Sequence, residues 1–268
     1  MGEEICVRSP RLLAGRLRDC GGYEERIAVP VRRSELASCD LTMLVGFADP
    51  VVVSPAAAYV SLLAGPRDVP ATTGLSGVQH GVRLTLDPLT AYSLFGVPLR
   101  LLRNDAVDLG ALLGADAERL IARLAEAPRW ARRFELLDAA LGDLLVRGPA
   151  PDPGVVWAYR RLRTTRDVRI AELAERLGWS RRHLARRFAD QVGLRPKTVA
   201  RISRLQHAVT LLAVRPRAGA HAAAAAGYAD QAHLVREARA LTGSTPTQLA
   251  QGSHSFKPIS GGARTFGG

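Results

Sequence analysis

Cysteine is scarce in this 268-residue chain: there are three, Cys6, Cys20 and Cys39, with no Cys-x-x-Cys spacing among them. An odd number without that spacing gives no support to a disulfide framework or a cysteine zinc site. Lysine is scarcer still, since Lys197 and Lys257 are the only two among 37 basic residues. No apolar run approaches the roughly 18 residues that span a bilayer. The start, Met1-Gly2-Glu3-Glu4-Ile5, is acidic where an export signal is basic. A cytoplasmic protein with free thiols and no membrane contact is expected. Catalytic signatures are missing too. The six histidines (80, 183, 207, 221, 233, 254) show no His-Glu-x-x-His or other paired metal spacing. Neither a Walker-type phosphate loop nor a Gly-x-Ser-x-Gly elbow occurs. An enzyme, a metal site and a cofactor are therefore not expected.

What the chain does have is unevenly placed charge. Residues 1–152 carry 17 basic and 19 acidic side chains, whereas residues 153–268 carry 20 basic and 6 acidic ones, so the net charge of +12 resides in the second half. A GC-rich genome accounts for arginine over lysine, but not for confinement of the excess to one half. The asymmetry points to a C-terminal part that binds a polyanion. Guanidinium forks match phosphates and guanine edges bidentately.

Gly148-Pro-Ala-Pro-Asp-Pro-Gly154 is the clearest linker, because it can neither continue a helix nor sit in a central strand. The expected organisation is a sensing or dimerisation domain over 1–147, a linker over 148–154, an all-α domain over 155–251 and a disordered Gly/Ser-rich tail over 252–268. Residues 1–87 read as strands and turns. Leu41–Phe47 and Val51–Val53 are apolar runs, while Val82, Leu84 and Leu86 alternate with Arg83 and Thr85 at the period of a half-buried strand. Frequent Gly and Pro, such as Gly65-Pro66, Gly74, Gly77 and Gly81, suit a small barrel or sandwich. At Asp87-Pro88 the period becomes helical, with helices expected to about Phe95, over Ala115–Ala127 and over Arg129–Val146. They are expected to pack on the barrel or on one another. Downstream, helices are expected over 155–163, 170–177, 180–192, 196–213, 219–226 and 230–241. The fold class is thus α+β: a β-rich, barrel-like N-terminal domain with flanking helices, then an all-α C-terminal domain.

The second half repeats itself. His183-Leu184-x-Arg186 recurs as His233-Leu234-x-Arg236, and Gly193-x-x-Pro196 as Gly243-x-x-Pro246. Ala174-x-x-x-Gly178-Trp179 recurs as Ala223-x-x-x-Gly227-Tyr228. Each part has a mechanical reason. The glycine supplies a left-handed turn that ends one helix, the aromatic covers the junction, and Ser180 or Asp230 caps the next helix. This is a helix-turn-helix, whose second helix enters the DNA major groove. With Leu184 and Phe188 buried, Arg181, Arg182, Ala185, Arg186 and Ala189 face outward. Arg182 and Arg186, one turn apart, can both reach guanine edges. In the second copy the equivalent face offers Gln231, Ala232, Val235, Arg236 and Arg239. His183 and His233 read as packing or phosphate-contacting residues, and His80 as a surface or core histidine rather than a ligand contact.

A connector over Pro196–Ala213 would be about 27 Å long, against roughly 34 Å between successive major grooves on one DNA face. Some DNA bending would let it hold both recognition helices in adjacent grooves. Its N-terminus at Pro196-Lys197-Thr198 is a candidate phosphate site, and Arg201 and Arg204 are expected to add positive charge along it.

Residues 153–250, through IAELAERLGWSRRHLARRF and AAAAAGYADQAHLVREARALTG, resemble the two-part DNA-binding domain of AraC-type transcription regulators. The segment GVRLTLDPLTAYSLFGVP resembles, less specifically, the sensing or dimerisation domains of one bacterial subgroup of them. The resemblance implies seven helices, two helix-turn-helix units and specific binding to duplex DNA. It places base-reading positions at Arg182, Ala185 and Arg186, and at Gln231, Ala232 and Arg236. Two features depart from it: Ala238 stands where the family has a buried phenylalanine, and Ala222–Ala226 replaces a more varied apolar helix. Both remove apolar volume from the second unit, at a cost of about a few kcal/mol of packing.

The expected function is a sequence-specific transcription regulator bound to double-stranded DNA. Expected partners are a small-molecule effector or a second copy acting through the N-terminal domain, and RNA polymerase if it activates. Two alternatives stand beside it: a nonspecific architectural nucleic-acid-binding protein, and a thiol-based redox sensor. An alkyl-accepting repair protein is weakened by the absence of four clustered cysteines.

Overall fold

In a computed structural model, residues 17–53, 57–165, 168–216 and 218–251 are described. Cys6, His254, Lys257 and the tail over 252–268 lie outside them.

The N-terminal part is a seven-stranded antiparallel sheet, nearly closed into a barrel. Its spine is a pair of long strands, β1 (Leu17–Glu35) and β6 (Ala71–Leu86), paired with a register shift between Ile27 and Val31. The opposite edge of β6 carries β2 (Leu41–Gly46) and β3 (Val51–Val53). β4 (Ala57–Tyr59), β5 (Leu62–Ala64) and β7 (Ala106–Asp108) complete the sheet. The alternation at Val82, Leu84 and Leu86 has the expected outcome: all three are fully buried, opposite Val45, Met43 and Leu41. Burial of each such side chain stabilises the fold by about 1.5–3 kcal/mol.

Gly74, Gly77 and Gly81 all lie inside β6. Only Gly77 among them has a positive φ, of 68°, at the register shift with β1.

Helices α1 (Pro88–Phe95), α3 (Ala115–Glu126) and α4 (Trp130–Arg147) share one core with the sheet, while a 3-10 turn (Leu99–Leu102) and the short α2 (Leu109–Leu113) connect them. As the Asp87-Pro88 pair implies, the Asp87 carboxylate accepts from Leu89 N at 3.0 Å and Pro88 opens the helix.

Seven helices follow: α5 (Pro153–Thr164), α6 (Ile170–Arg176), α7 (Arg181–Val192), α8 (Pro196–Val214), α9 (Gly219–Ala225), α10 (Gln231–Thr242) and α11 (Pro246–Ala250). Their core does not stop at residue 148. Leu36, Ala37 and Cys39, from the connection between β1 and β2, are buried in it. Nearby, Arg18 binds Asp87 at 2.7 Å and lies 3.7 Å from Asp40. The α5 residues Tyr159 and Arg163 face this acidic pair. The linker is held as well, because Asp152 N donates to Gln191 Oε1 at 2.9 Å.

Candidate nucleic-acid interface

The two repeats build the same turn. After α6, Gly178 takes a φ of 65°; after α9, Gly227 takes 82°. That reversal lets Trp179 N donate to Ala174 O at 2.8 Å, and Tyr228 N to Ala223 O at 2.9 Å. The next helix is then capped: Ser180 Oγ accepts from His183 N at 3.1 Å, and Asp230 Oδ1 from His233 N at 2.6 Å. The histidines pack edge-on against the turn aromatics, with centroids 4.9 Å apart for Trp179–His183 and 5.2 Å for Tyr228–His233. Packing is the role that the geometry gives them.

Burying Leu184, Phe188 and Val192 on α7 turns Arg181, Arg182 and Arg186 to solvent, with Ala185 half-buried between them. On α10, burying Leu234, Ala238 and Leu241 exposes Gln231, Ala232, Arg236 and Arg239 and leaves Val235 half-buried. Gln231 is drawn inward: its amide lies where a Cβ on Gly219, at the start of α9, would approach Nε2 to 2.7 Å. Lys197 is exposed and Thr198 half-buried in the first turn of α8, where Arg195 provides no side-chain cap.

Arginines tied into the fold are thereby separated from those left free. Arg201 and Arg204, expected to add positive charge along α8, share one carboxylate. Arg201 Nε and Arg204 Nη2 each lie 3.2 Å from a carboxylate oxygen of Glu237, and Tyr228 OH donates to the same group at 3.2 Å. Burial, reinforced by the Glu237 charge, raises the Tyr228 pKa and keeps its hydroxyl a donor. The network is a cross-brace between α8 and α10, and buried Glu237 is the residue that sequence reasoning missed. Glu237 is one of only six acids in the basic half, which marks the residue but not its partners. Arg187 is likewise tied, 2.9 Å from Asp152. Burial alone would raise the Asp152 carboxyl, but Arg187 and the backbone N–H groups of Gly154 and Val155 bring it below its ordinary value. By contrast, Arg181, Arg182, Arg186, Arg236 and Arg239 form no ion pair with another described residue.

The two described thiols, Cys20 and Cys39, are poorly placed for sensing. Cys20 and Cys39 are 5% and 0% exposed, and burial, opposed by Arg163, pushes the Cys39 thiol up to about 12. A reactive cysteine needs the reverse, an accessible thiolate. His80 sits in an aromatic cluster, with Phe47 and Trp130 at 5.2 and 5.6 Å and Arg133 Nη1 3.2 Å from its ring nitrogen. Among the described residues, no group of three or more His, Cys, Asp or Glu could hold a metal ion, and no helix is long and apolar enough to cross a membrane.

A family profile described as "Helix-turn-helix domain" matches residues 173–252. An uncharacterized HTH-type transcriptional regulator of Staphylococcus aureus is 29% identical over 93 residues, which are 35% of this chain and 12% of that protein. A second, from strain MRSA252, matches with the same identity and coverage. The chain thus aligns with about 12% of the length of these curated relatives. Among solved structures, ToxT from Vibrio cholerae aligns over 87% of this chain and 97% of its own, at 12% identity and a TM-score of 0.45. The AraC-like transcriptional activator CuxR aligns over 69% and 72%, at 15% identity and a TM-score of 0.22.

Proposed function

We propose, from the AraC-type helix-turn-helix domain within residues 173–252, that this chain is a transcription regulator that reads duplex DNA with α7 and α10 in adjacent major grooves. Arg182 and Arg186 contact guanine edges, Ala185 and Ala232 leave room for base methyl groups, and Arg236 is the main polar reader of the second helix. Gln231 reads a base only after its amide leaves Gly219. Arg181, Arg239, Lys197 and Thr198 hold phosphates. Arg201 braces α10 through Glu237 and contributes to DNA binding indirectly. The N-terminal sheet is the seat of control, by a small-molecule effector or by dimerisation, and RNA polymerase is the further partner if the protein activates.

The observation that carries this reading is the partition of arginines. Arg187, Arg201 and Arg204, behind the recognition helices, share the carboxylates of Asp152 and Glu237, while Arg181, Arg182, Arg186, Arg236 and Arg239, at the N-terminal ends and outer faces of α7 and α10, are exposed without an ion-pair partner among the described residues. Recognition helices present these same ends to base edges. The test compares a selected duplex with a random one across a salt series. Affinity for both falls with salt as counterions are released, and the selected duplex binds about a thousandfold or more tighter at physiological salt. A ratio near one would instead indicate a nonspecific architectural protein.

A further inference from the structure

Within that reading, the N-terminal part touches the back of both recognition helices: α1 and the 3-10 turn pack on α7, and one small bridge reaches both α7 and α10. The connection between β1 and β2 and the turn after β5 are joined at Ser38 and Arg67, whose backbones exchange two hydrogen bonds of 2.9 Å each. On one side of this bridge, Ala37 N donates to Leu241 O at 3.1 Å. Leu241 lies in the last turn of α10, where helix carbonyls lack partners within the helix. On the other side, Pro66 sits against the end of α7. Gly193, at a φ of 82°, closes that helix so tightly under Pro66 that a Cβ would overlap the proline ring. Arg100, from the 3-10 turn beside Pro66, binds Asp190 of α7 at 2.6 Å. The turn carrying Pro66 is itself braced: Asn104 N donates to Pro66 O at 3.0 Å, and Asn104 Oδ1 accepts from Asp68 N at 3.0 Å. Asn104 is the one non-glycine residue among those described that holds a positive φ, at 60°.

We infer that the Ser38–Arg67 bridge is a strut that fixes the separation and mutual angle of α7 and α10, and so sets the spacing of the two DNA sequence blocks the protein accepts. Ala37 and Pro66 are positioning residues, acting through α10 and α7 without touching DNA. Recognition helices insert their N-terminal ends, so a strut on the C-terminal ends leaves both reading faces open. α8 ties the two units along one side; the strut adds a tie at the C-terminal ends of α7 and α10, and the added tie resists rotation about α8. A change in the N-terminal sheet, by ligand or by a second copy, would reach both helices through the same bridge.

The experiment uses the full chain with Cys6→Ser and spin labels on Arg176→Cys and Ala240→Cys, both at exposed positions. It compares this background with Ala37→Asp and Pro66→Gly, two independent disruptions, each first checked for intact helix content. Pulsed electron resonance should give one narrow distance peak for the parent and a broadened one for both variants. On duplexes selected by the parent, inserting one or two base pairs between the sequence blocks should cost the parent about tenfold or more in affinity. The variants should bind the lengthened duplexes nearly as well as the original. An unchanged narrow peak in both variants would overturn the strut. Broadened peaks in a protein whose parent prefers no sequence at any spacing would support the strut as a brace and overturn the regulator reading.

Discussion

The two helix-turn-helix units share their turn down to the individual hydrogen bond, yet differ in what fills the space behind it. In the first, Phe188 fills the core, fully buried and 6.3 Å from the Tyr159 ring. In the second, Ala238 holds the equivalent position, and the adjoining helix α9 buries only Ala222 and Ala223. Beside Ala238, Glu237 reaches back to Arg201, Arg204 and Tyr228, and the Arg204 guanidinium lies 4.8 Å from the Tyr228 ring centroid. One unit is held by apolar volume and the other by a charged cross-brace. Apolar packing needs only shape, whereas a buried carboxylate is tolerated only while its partners stay in place. On the proposed function, the second unit is expected to be the looser reading head and the first to carry more of the sequence discrimination.

The largest effect should come from emptying the better-filled unit. Phe188→Ala is expected to cost about 3–5 kcal/mol of stability in denaturant unfolding; a loss well below this would mean that α7 is not packed as described. Next is the brace. Glu237→Gln leaves two arginines without their counter-charge, each still partly hydrated, and should cost about 2–3 kcal/mol. Amide exchange should then quicken in α10 while α7 keeps its protection, and uniform quickening would erase the contrast. At the interface, Arg186→Ala should cost about 1–3 kcal/mol on the selected duplex and relax preference at one base pair. Arg236→Ala should cost less, so a larger loss at Arg236 would reverse the ranking of the two units. The smallest effect concerns pH. Asp152 has a folded-state pKa below its unfolded value of about 3.9. Its pairing with Arg187 therefore stabilises above that value and is lost as pH falls through the lower, folded one. Screening at Arg187, 41% exposed, limits the gain to about 1 kcal/mol or less. Asp152→Asn should flatten the acid limb of the stability profile by that amount; an unchanged limb would remove this staple from the first unit.

Much of the C-terminal half was legible because its determinants are local. A left-handed glycine, a covering aromatic and a capping Ser or Asp lie within seven residues, and each acts on its neighbours. The sheet was legible only in part. Val82, Leu84 and Leu86 alternate as strands do, but Arg26 to Glu35 are mostly exposed and interrupted by Pro30, and β1 becomes a strand there only through pairing with β6, 36 to 52 residues away. The Arg201–Glu237 pair and the Ala37–Leu241 contact were illegible for the same reason. Each depends on a partner that only the tertiary fold brings near, and an exposed arginine and a tethered one look alike in a sequence. The free arginines could be named in advance, but not distinguished from the structural ones beside them.

The central claim is that two fixed recognition helices read one duplex together, and selection of random duplex DNA by the full chain tests it most directly. The winners should carry two recurrent blocks one helical turn apart, about 10–10.5 base pairs centre to centre, the stronger block containing guanines that Arg182 and Arg186 read. Winners with a single block, with blocks at no fixed spacing, or with no enrichment over the starting pool would contradict it.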